Sequence, residues 1–387
     1  MAPTASANDE VELPLDLDLN DEQRQLQDAT RGFLSRHYPL GDARAILESD
    51  READPEGWRR AAEMGWIAVL ADEDAGGLGF SPSTATVISS ELGRAVNWTP
   101  FLGSALSVAA LGPAAGGDDR AAGVMEALIA GETVAAWCGP EPRGDGWGAD
   151  SVRTEAVEAG DGFVLYGEKY LVADADLADE LVVAARVDGE LRSFVVPAEA
   201  EGVEITVSRT LDLTRRFATV RLNGVRVTAG DAVGEAGTAD AAFGRTLDLA
   251  IVLVAADAVG AAEKLLELTV EYAADRIAFQ RPIASYQAVK HMCADMLLKV
   301  EASRAASRYA ALTLEADSAE RARAVAVAGG YVSGAAAEIA GDALQIHGGV
   351  GFTWEHDLHL FLRRIKVDQA LFGDTRQHRE QLVGLLT

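Results

Sequence analysis

The stretch from Gln345 to Arg379, QIHGGVGFTWEHDLHLFLRRIKVDQALFGDTRQHR, decides which fold this chain can adopt. It opens with a Gly-Gly-x-Gly turn at Gly348, Gly349 and Gly351, and it ends at Phe372-Gly373-Asp374-Thr375. Between these points apolar residues recur with the spacing of an amphipathic helix, whose apolar face needs other helices to cover it. Because glycine has no side chain, the turn lets a ligand approach the backbone. The stretch therefore predicts a helical bundle with a ligand-binding turn.

The same helical period extends over residues 236–387, which we predict to form a four-helix bundle. Long amphipathic segments cover Tyr286–Thr313, Glu320–Leu344 and Trp354–Ala370, and the connections between them are short. One more helix precedes these segments. Its predicted apolar face carries Ile251, Val254, Ala258, Ala262, Leu265 and Tyr272.

A different period marks residues 131–235, where apolar residues alternate with polar ones. Three turn dipeptides recur in this region, at Asp161-Gly162, Asp188-Gly189 and Asn223-Gly224. Asp-Gly and Asn-Gly provide the positive φ angles that tight hairpins require. We therefore predict an antiparallel β-sheet or β-barrel domain here, with a hairpin at each of the three dipeptides.

Residues 17–130 are predicted to be helical, with Asn20 or Asp21 as a helix cap and Trp58–Val69 as an amphipathic helix. Residues 1–16 are predicted to be a flexible acidic arm. The predicted fold is therefore an α+β multi-domain protein. It has an N-terminal α-helical domain, a middle antiparallel β-barrel or sheet domain, and a C-terminal four-helix bundle.

The composition excludes several classes of partner. The chain has 34 Lys and Arg against 61 Asp and Glu, which gives a formal net charge of -27. Such a charge opposes binding to nucleic acid or to an anionic membrane surface. No run of about 18 apolar residues is evident, so we expect no membrane span. The only cysteines, Cys138 and Cys293, fit neither a disulfide framework nor a metal motif, and we expect a cytoplasmic protein.

Metal binding is not expected either. His356 and His359 are three residues apart on a predicted helix, which is a possible ligand spacing, but no third ligand is evident nearby. The neighbouring pair Arg363-Arg364 is predicted to form a salt-bridging helix face. Other histidines in the C-terminal half are His291, His347 and His378.

Five ordered segments resemble one enzyme family. They are GWIAVLADEDAGGLGFS (65–81), ELGR (91–94), GEKYLVADADLADELVVAA (167–185), RIAFQRPIASYQAVKHMCADM (276–296) and QIHGGVGFTWE (345–355). Together they are similar to the acyl-CoA dehydrogenase family over nearly the whole chain. The resemblance implies FAD as cofactor and an acyl-CoA thioester as substrate. It also implies α,β-dehydrogenation, in which a carboxylate takes the α-proton and the flavin takes the β-hydride.

Both positions where this family carries its catalytic carboxylate are empty. Most members have the Glu in Tyr-Glu-Gly-Thr, where this chain has Gly373. A minority have it in Leu-Asp-Leu-Glu-Arg, where Ala250 stands here and Ile251 replaces the Arg. Neither Gly nor Ala can accept a proton, so no catalytic residue is expected. Asp374 and Asp248 are the fallback candidates for a base.

The middle domain also departs from the family pattern. The Thr-Glu-Pro-x-x-Gly-Ser-Asp loop becomes residues 139–145, GPEPRGD, and the Trp-Ile-Thr strand that lies against the flavin ring becomes Leu171-Val172-Ala173. In this family the FAD lies across a subunit interface. The segments that reach the neighbour's FAD are retained, and the resemblance implies cofactor contacts from Arg276, Phe279, Gln287, Gln345, Gly348 and Gly349.

This asymmetry resembles the non-catalytic subunit of bacterial α2β2 steroid-type acyl-CoA dehydrogenases. It implies a homologous catalytic partner that carries the Glu and binds most of the acyl-CoA, while this chain completes the partner's FAD site. The resemblance to steroid-type enzymes extends the expected substrates to thioesters with a bulky steroid side chain. Two alternatives stay open. One is an autonomous homo-oligomeric dehydrogenase with Asp374 or Asp248 as base, and the other is a non-enzymatic scaffold with the same fold.

Overall fold

A computed structural model describes residues 17–48, 54–141, 146–234 and 237–386, so the acidic arm predicted over residues 1–16 lies outside the described residues. The first part of the chain is helical, as the sequence predicts. Asn20 caps the first helix, since its side chain accepts a hydrogen bond from the backbone N–H of Gln23. The helices are α1 Asp21–His37, α2 Leu40–Glu48, α3 Pro55–Glu63, α4 Pro82–Arg94, α5 Phe101–Ala115 and α6 Asp119–Ile129.

The helix predicted over Trp58–Val69 is shorter than expected. Helix α3 ends at Glu63, and Gly65 follows with a φ angle of +83°, a conformation that ends a helix at little cost only for glycine. The chain then makes irregular turns, which bury Trp66 and Leu70 in the core of the helical part. The apolar side chains of this segment are therefore buried, but the prediction of one continuous helix over Trp58–Val69 is wrong.

Eight strands form one mostly antiparallel sheet in the order β6-β7-β3-β2-β4-β5-β8, with β1 beside β4. The antiparallel prediction fails for β1, which runs parallel to β4, and for the single bridge between β2 and β4. The strands are β1 Ala135–Cys138, β2 Glu155–Ala159, β3 Gly162–Ala173, β4 Glu180–Val187, β5 Glu190–Pro197, β6 Val203–Ser208, β7 Phe217–Thr228 and β8 Ala232–Val233.

Two of the three predicted hairpins are present, between β2 and β3 and between β4 and β5. The third prediction is wrong, because Asn223-Gly224 lies inside the continuous strand β7. Opposite it, Leu165 pairs with Val225 and Tyr166 pairs with Asn223, so Gly224 is the extra residue of a β-bulge. Its φ angle of +75° satisfies the same glycine preference as a hairpin turn, which is why the sequence could not distinguish the two.

The C-terminal part is the predicted helical bundle. It contains α7 Ala239–Asp275, α8 Gln287–Glu315, α9 Arg321–His347, α10 Leu358–Asp368 and α11 Thr375–Leu386, with a short hairpin of β9 Ile277–Ala278 and β10 Arg281–Pro282 between α7 and α8. Helix α7 also packs against α4. A Cβ atom at Gly93 would lie 2.0 Å from the carbonyl oxygen of Asp257, so glycine is needed where these two helices touch.

One helical segment, Arg321–Phe352, is long and apolar enough to cross a membrane, whereas the sequence pattern predicts no membrane span. Within the bundle, however, 61% of its apolar window is buried against other parts of the protein. Helix α9 packs against α7, α8, α10 and α11. Its composition is therefore explained by its place in the core of the bundle.

A buried ion network joins the three parts of the molecule and confirms the predicted salt bridges of Arg364, although they lie in the interior. This side chain is only 1% exposed, so it does not lie on a solvated helix face. Its guanidinium donates to Asp212 at 2.6 Å, to Asp257 at 3.1 Å and to the backbone carbonyl of Asn97 at 2.6 Å. The network holds α10 in place, and the chain runs from the end of α10 directly to Gly373.

Candidate functional site

The glycine turn after α9 is open on its outer side. Gly348 ends the helix with φ +62° and ψ -139°, a backbone conformation that favours glycine. A Cβ atom added to Gly348 or Gly349 would meet no other atom within 4 Å. At Gly351, by contrast, a Cβ would lie 3.1 Å from the side chains of His347 and Leu344. The first two glycines therefore leave space for a ligand, whereas the third serves packing.

The β9–β10 hairpin presents Phe279 to solvent in a strained backbone. Phe279 and Gln280 form the two-residue turn, with φ angles of +52° and +68°. Such turns favour Asn and Gly, because bulky residues are disfavoured at positive φ. The Phe279 side chain is nevertheless 91% exposed. Strain that holds an aromatic ring in water is typical of a binding surface.

An aromatic contact connects the last turn of α7, which Arg276 follows, to the residue that precedes the glycine turn. The backbone N–H of Arg276 donates to the carbonyl of Tyr272 at 2.8 Å. The ring of Tyr272 stacks on His347, which directly precedes Gly348, with ring centroids 4.3 Å apart. The Arg276 side chain is exposed and forms no ion pair within the described ranges. Arg276, with an exposed side chain, and the glycine turn thus lie at the same end of the bundle.

The two glutamines of the predicted cofactor set lie at the same end of the bundle. Gln287 begins α8 and Gln345 lies in the last turn of α9. These helices are antiparallel neighbours, as the ion pair between Lys299 and Asp342 shows. Both glutamine side chains are exposed. All six predicted cofactor residues therefore lie at this end of the bundle, and none is buried.

At Gly373, where the sequence predicts that a catalytic Glu is missing, a histidine fills the space beside the glycine. Gly373 has a φ angle of +122°, and a Cβ atom there would lie 2.9 Å from Nε2 of His378. His378 is 4% exposed, and its ring lies against Gly373. Burial lowers the pKa of His378. The backbone and its neighbour are therefore arranged for a residue without a side chain.

Asp374 caps the last helix instead of facing a substrate. Its carboxylate accepts a hydrogen bond from the backbone N–H of Gln377 at 2.8 Å, and its own N–H donates to the Gln377 side chain at 2.9 Å. This reciprocal pair is a capping box for α11. Asp374 is exposed, so it lacks the dry surroundings that a thioester α-proton base needs.

The second empty position, Ala250, is fully buried in the apolar core. Two residues earlier, Asp248 is ion-paired with Nε of Arg321 at 3.1 Å. Burial raises the pKa of Asp248 to about 6, although Arg321 lowers it in part. Asp248 therefore has the raised pKa of a catalytic acid or base, but its carboxylate is engaged by a guanidinium.

The cleft between the sheet and the emptied position is closed. Trp147 packs edge-on against Phe372, with ring centroids 5.3 Å apart. The space left there is about 10 Å³, which is room for about one water molecule and far from the several hundred Å³ of a ligand pocket. It is lined by Gly103, Leu106, Trp137, Pro140, Trp147, Tyr170, Leu171, Val172, Ala173 and Phe372.

The two halves of the site fit FAD differently. Leu171, Val172 and Ala173, which replace the strand that carries the flavin ring in the resembled family, line the closed cleft, so an isoalloxazine ring does not fit there. Arg276 and Gly348, by contrast, offer a cation and an open backbone that suit a pyrophosphate. The residues present therefore fit the nucleotide end of FAD only.

A metal site finds no support in the part of the chain that the structure describes. No group of three His, Cys, Asp or Glu side chains is placed there to hold an ion. His356 lies before α10 and contacts the ring of His347, while His359 stacks on Trp354. The two histidines predicted as a possible ligand pair thus serve separate aromatic contacts.

Sequence reasoning missed Trp147 as the residue that closes the cleft, and it placed Tyr272 only on the apolar helix face. No local pattern marks Trp147, which follows a loop unlike that of the resembled family. Tyr272 falls one helical turn before Arg276, and His347 directly precedes the glycine turn. These two positions were the only sign in the sequence that Tyr272 and His347 could connect the Arg276 segment to the glycine turn.

Comparison with known proteins gives matches along the chain. A family model described as the acyl-CoA dehydrogenase C-terminal domain matches residues 232–384, and the corresponding N-terminal domain model matches residues 20–135. The acyl-CoA dehydrogenase IpdE2 of Mycolicibacterium smegmatis is 32% identical over 365 residues, which cover 94% of this chain and 98% of that protein.

Solved structures of similar proteins have the same fold. A chain of the ChsE4-ChsE5 complex from Mycobacterium tuberculosis is 25% identical with a TM-score of 0.86, over 96% of this chain and 99% of that one. A variant of the Tcur3481-Tcur3483 steroid ACAD is 26% identical with a TM-score of 0.83, over 95% of this chain and 98% of that one. The predicted order of a helical domain, a β domain and a helical bundle is confirmed.

Proposed function

The chain belongs to the acyl-CoA dehydrogenase family, whose cofactor is FAD, and we propose that it is a non-catalytic subunit that completes the FAD site of a catalytic partner. One observation carries this proposal. The cleft that would hold this chain's own flavin ring and substrate is closed by Trp147 and Phe372, whereas Arg276 and Gly348 are open to a neighbour. A degraded enzyme without a partner would have no physical reason to keep the second feature.

In the proposed complex the partner provides the carboxylate that removes the α-proton. FAD, when bound, accepts the β-hydride. The residues of this chain bind and position the cofactor. Arg276 offers a permanent positive charge to the pyrophosphate, and the backbone N–H groups at Gly348 and Gly349 offer hydrogen bonds to it. Neither group moves a proton, so their effect is on cofactor affinity and orientation.

The surface around this half-site favours a protein partner. Three large apolar side chains on the two segments of this half-site are strongly exposed: Ile277 at 57%, Phe279 at 91% and Phe352 at 76%. Exposed large apolar side chains of this kind are typical of a protein–protein interface. The partner that we propose is a homologous subunit carrying the Glu, as the heteromeric ChsE4-ChsE5 complex suggests by analogy. By the same analogy with the steroid ACAD, its substrate is a bulky steroid-type thioester.

Co-purification with a Glu-bearing family member tests this proposal. We expect a yellow complex whose FAD content, measured by absorbance at about 450 nm, falls strongly in Arg276→Ala, because a pyrophosphate contact is worth roughly 1.5–3 kcal/mol. Arg281→Ala is the matched control. It removes an exposed arginine of the same hairpin that stacks on Tyr286, and it should leave the FAD content unchanged.

Two outcomes would contradict the proposal. Unchanged FAD content in Arg276→Ala would favour a scaffold that has lost the cofactor. An isolated chain that purifies with one FAD per subunit and oxidises acyl-CoA would favour an autonomous enzyme.

The second candidate function, an autonomous dehydrogenase, is favoured by one observation, the pKa of about 6 at Asp248. If Asp248 were the base, Asp248→Asn would abolish turnover by the isolated chain and leave its FAD absorbance intact. Under our proposal the isolated chain has no turnover to lose, and Asp248→Asn leaves the activity of the complex unchanged.

A further inference from the structure

One aromatic stack joins the two segments of the proposed FAD half-site. Tyr272, one turn before Arg276, lies almost parallel to the ring of His347, with an interplanar angle of 19° and ring centroids 4.3 Å apart. Its hydroxyl also donates to the backbone carbonyl of His347 at 3.3 Å. Since Gly348 follows His347 directly, this contact ties the last turn of α7, which Arg276 follows, to the start of the glycine turn.

The hydrogen bonding of His347 determines its tautomer. Nδ1 lies 2.8 Å from the carbonyl oxygen of Ala343, which can only accept, so Nδ1 carries the hydrogen. Nε2 then carries the lone pair. This atom is buried and has no hydrogen-bond partner among the described residues. The ring of His356 approaches edge-on, with centroids 4.8 Å apart. The stack is therefore complete only while His347 is neutral.

A second proton on the His347 ring would place a positive charge in a buried site that offers it no ion pair among the described residues. The residue is 3% exposed, and no carboxylate forms an ion pair with its ring in the ranges that the structure covers. The titratable groups that contact the ring are Tyr272 on α7 and His356 beyond the turn. Burial lowers the pKa of His347, and the nearby His356 lowers it further. The hydrogen bond to the Ala343 carbonyl raises this pKa but does not offset the lowering. A charge there would be buried and unpaired.

We propose that His347 is a positioning residue of the FAD half-site: its neutral ring, clamped on Tyr272, holds the glycine turn at the distance from Arg276 that the pyrophosphate requires. Protonation of the ring places a donor at Nε2, which has no acceptor among the described residues, and this buried, unpaired charge opens the stack and loosens the turn. This inference rests on the proposed function, since it concerns how the half-site is held.

The test measures FAD retention by the purified complex between pH 5 and 8. In the wild type we expect the dissociation constant for FAD to rise at least fivefold as the pH falls below the ordinary histidine pKa of about 6.5. His347→Leu keeps an apolar side chain that cannot be protonated, so its profile should be flat. Tyr272→Phe keeps the ring but loses the bond to the His347 carbonyl. It should weaken FAD binding at every pH while the titration of His347 by NMR is retained.

Parallel pH profiles for the wild type and His347→Leu would overturn the inference. So would unaltered FAD affinity in Tyr272→Phe, a variant mild enough to fold if His347→Leu does not. Arg276→Ala distinguishes this failure from failure of the proposed function. If Arg276→Ala strips FAD and the His347 profile does not change, only the positioning role is wrong. If Arg276→Ala retains FAD, the half-site itself is wrong.

Discussion

Restoring a side chain at Gly373 is the sharpest test of whether the catalytic position is truly closed. We expect Gly373→Ala and Gly373→Glu to destabilise the protein, because Gly373 has a φ angle of +122° and a Cβ there would lie 2.9 Å from Nε2 of His378. A side chain in that backbone region costs about 1–3 kcal/mol. Forcing buried His378 aside adds roughly 1–3 kcal/mol of overpacking.

The two costs together predict a loss of about 2–6 kcal/mol for Gly373→Ala, and more for Gly373→Glu, which also introduces a carboxylate. Thermal unfolding followed by circular dichroism measures the loss. Gly341→Ala is the control, because it lies in α9 where an added Cβ meets nothing within 4 Å. There we expect a gain of about 0.5–1 kcal/mol from helix propensity.

We also expect Gly373→Glu to have no dehydrogenase activity, because Trp147 and Phe372 still close the cleft. Dehydrogenase activity is measured on the isolated chain with a dye acceptor and added FAD. A Gly373→Ala variant as stable as Gly341→Ala, or an active Gly373→Glu chain, would refute the view that the structure leaves no room for a side chain at this position.

Two further predictions concern the buried ions. Arg364→Leu leaves Asp212 and Asp257 without the guanidinium of Arg364 and should lower the free energy of unfolding by about 3–5 kcal/mol, measured by thermal unfolding. The control Arg363→Leu removes only the neighbouring half-buried arginine and should cost below about 1 kcal/mol. Equal losses in the two variants would contradict a stabilising role of the network. Burial raises the pKa of Asp368 well above its usual value, so the folded state binds this proton more tightly than the unfolded chain, and stability falls as the pH rises from about 4 through the folded pKa. The wild type should therefore lose stability relative to Asp368→Asn between pH 5 and 8, and parallel melting curves across that range would count against a buried, protonated carboxyl.

The raised pKa of Asp368 has a simple electrostatic origin. Asp212, Asp257 and Asp368 face only two arginines, Arg215 and Arg364, in this buried cluster. Three carboxylates against two guanidiniums leave one negative charge without a counterion. Burial makes a proton on Asp368 the least costly way to remove that charge. The network that joins the three parts of the molecule thus contains one buried carboxyl, Asp368, whose pKa burial raises well above its usual value.

Much of the fold could be predicted because its signals are local. Helical periodicity needs only the residues of one helix, and the turn dipeptides act within two residues, so the three-part architecture and the bundle followed from the chain alone. The errors arose where local chemistry is ambiguous. Gly224 has a positive φ angle both in a hairpin and in a β-bulge, and only the pairing of β3 with β7 selects the bulge.

The sequence by itself determined that Gly373 and Ala250 cannot accept a proton, because that follows from residue identity. It could not determine whether the space beside them is open, because that depends on which distant side chains meet there. Trp147 and His378 fill it only once the sheet, the bundle and the last helix have packed together. In the same way, the glycine turn was visible in the sequence, but its place beside Arg276 is set by the stack of Tyr272 on His347, a contact between helices that are separate in the chain and adjacent only in the bundle.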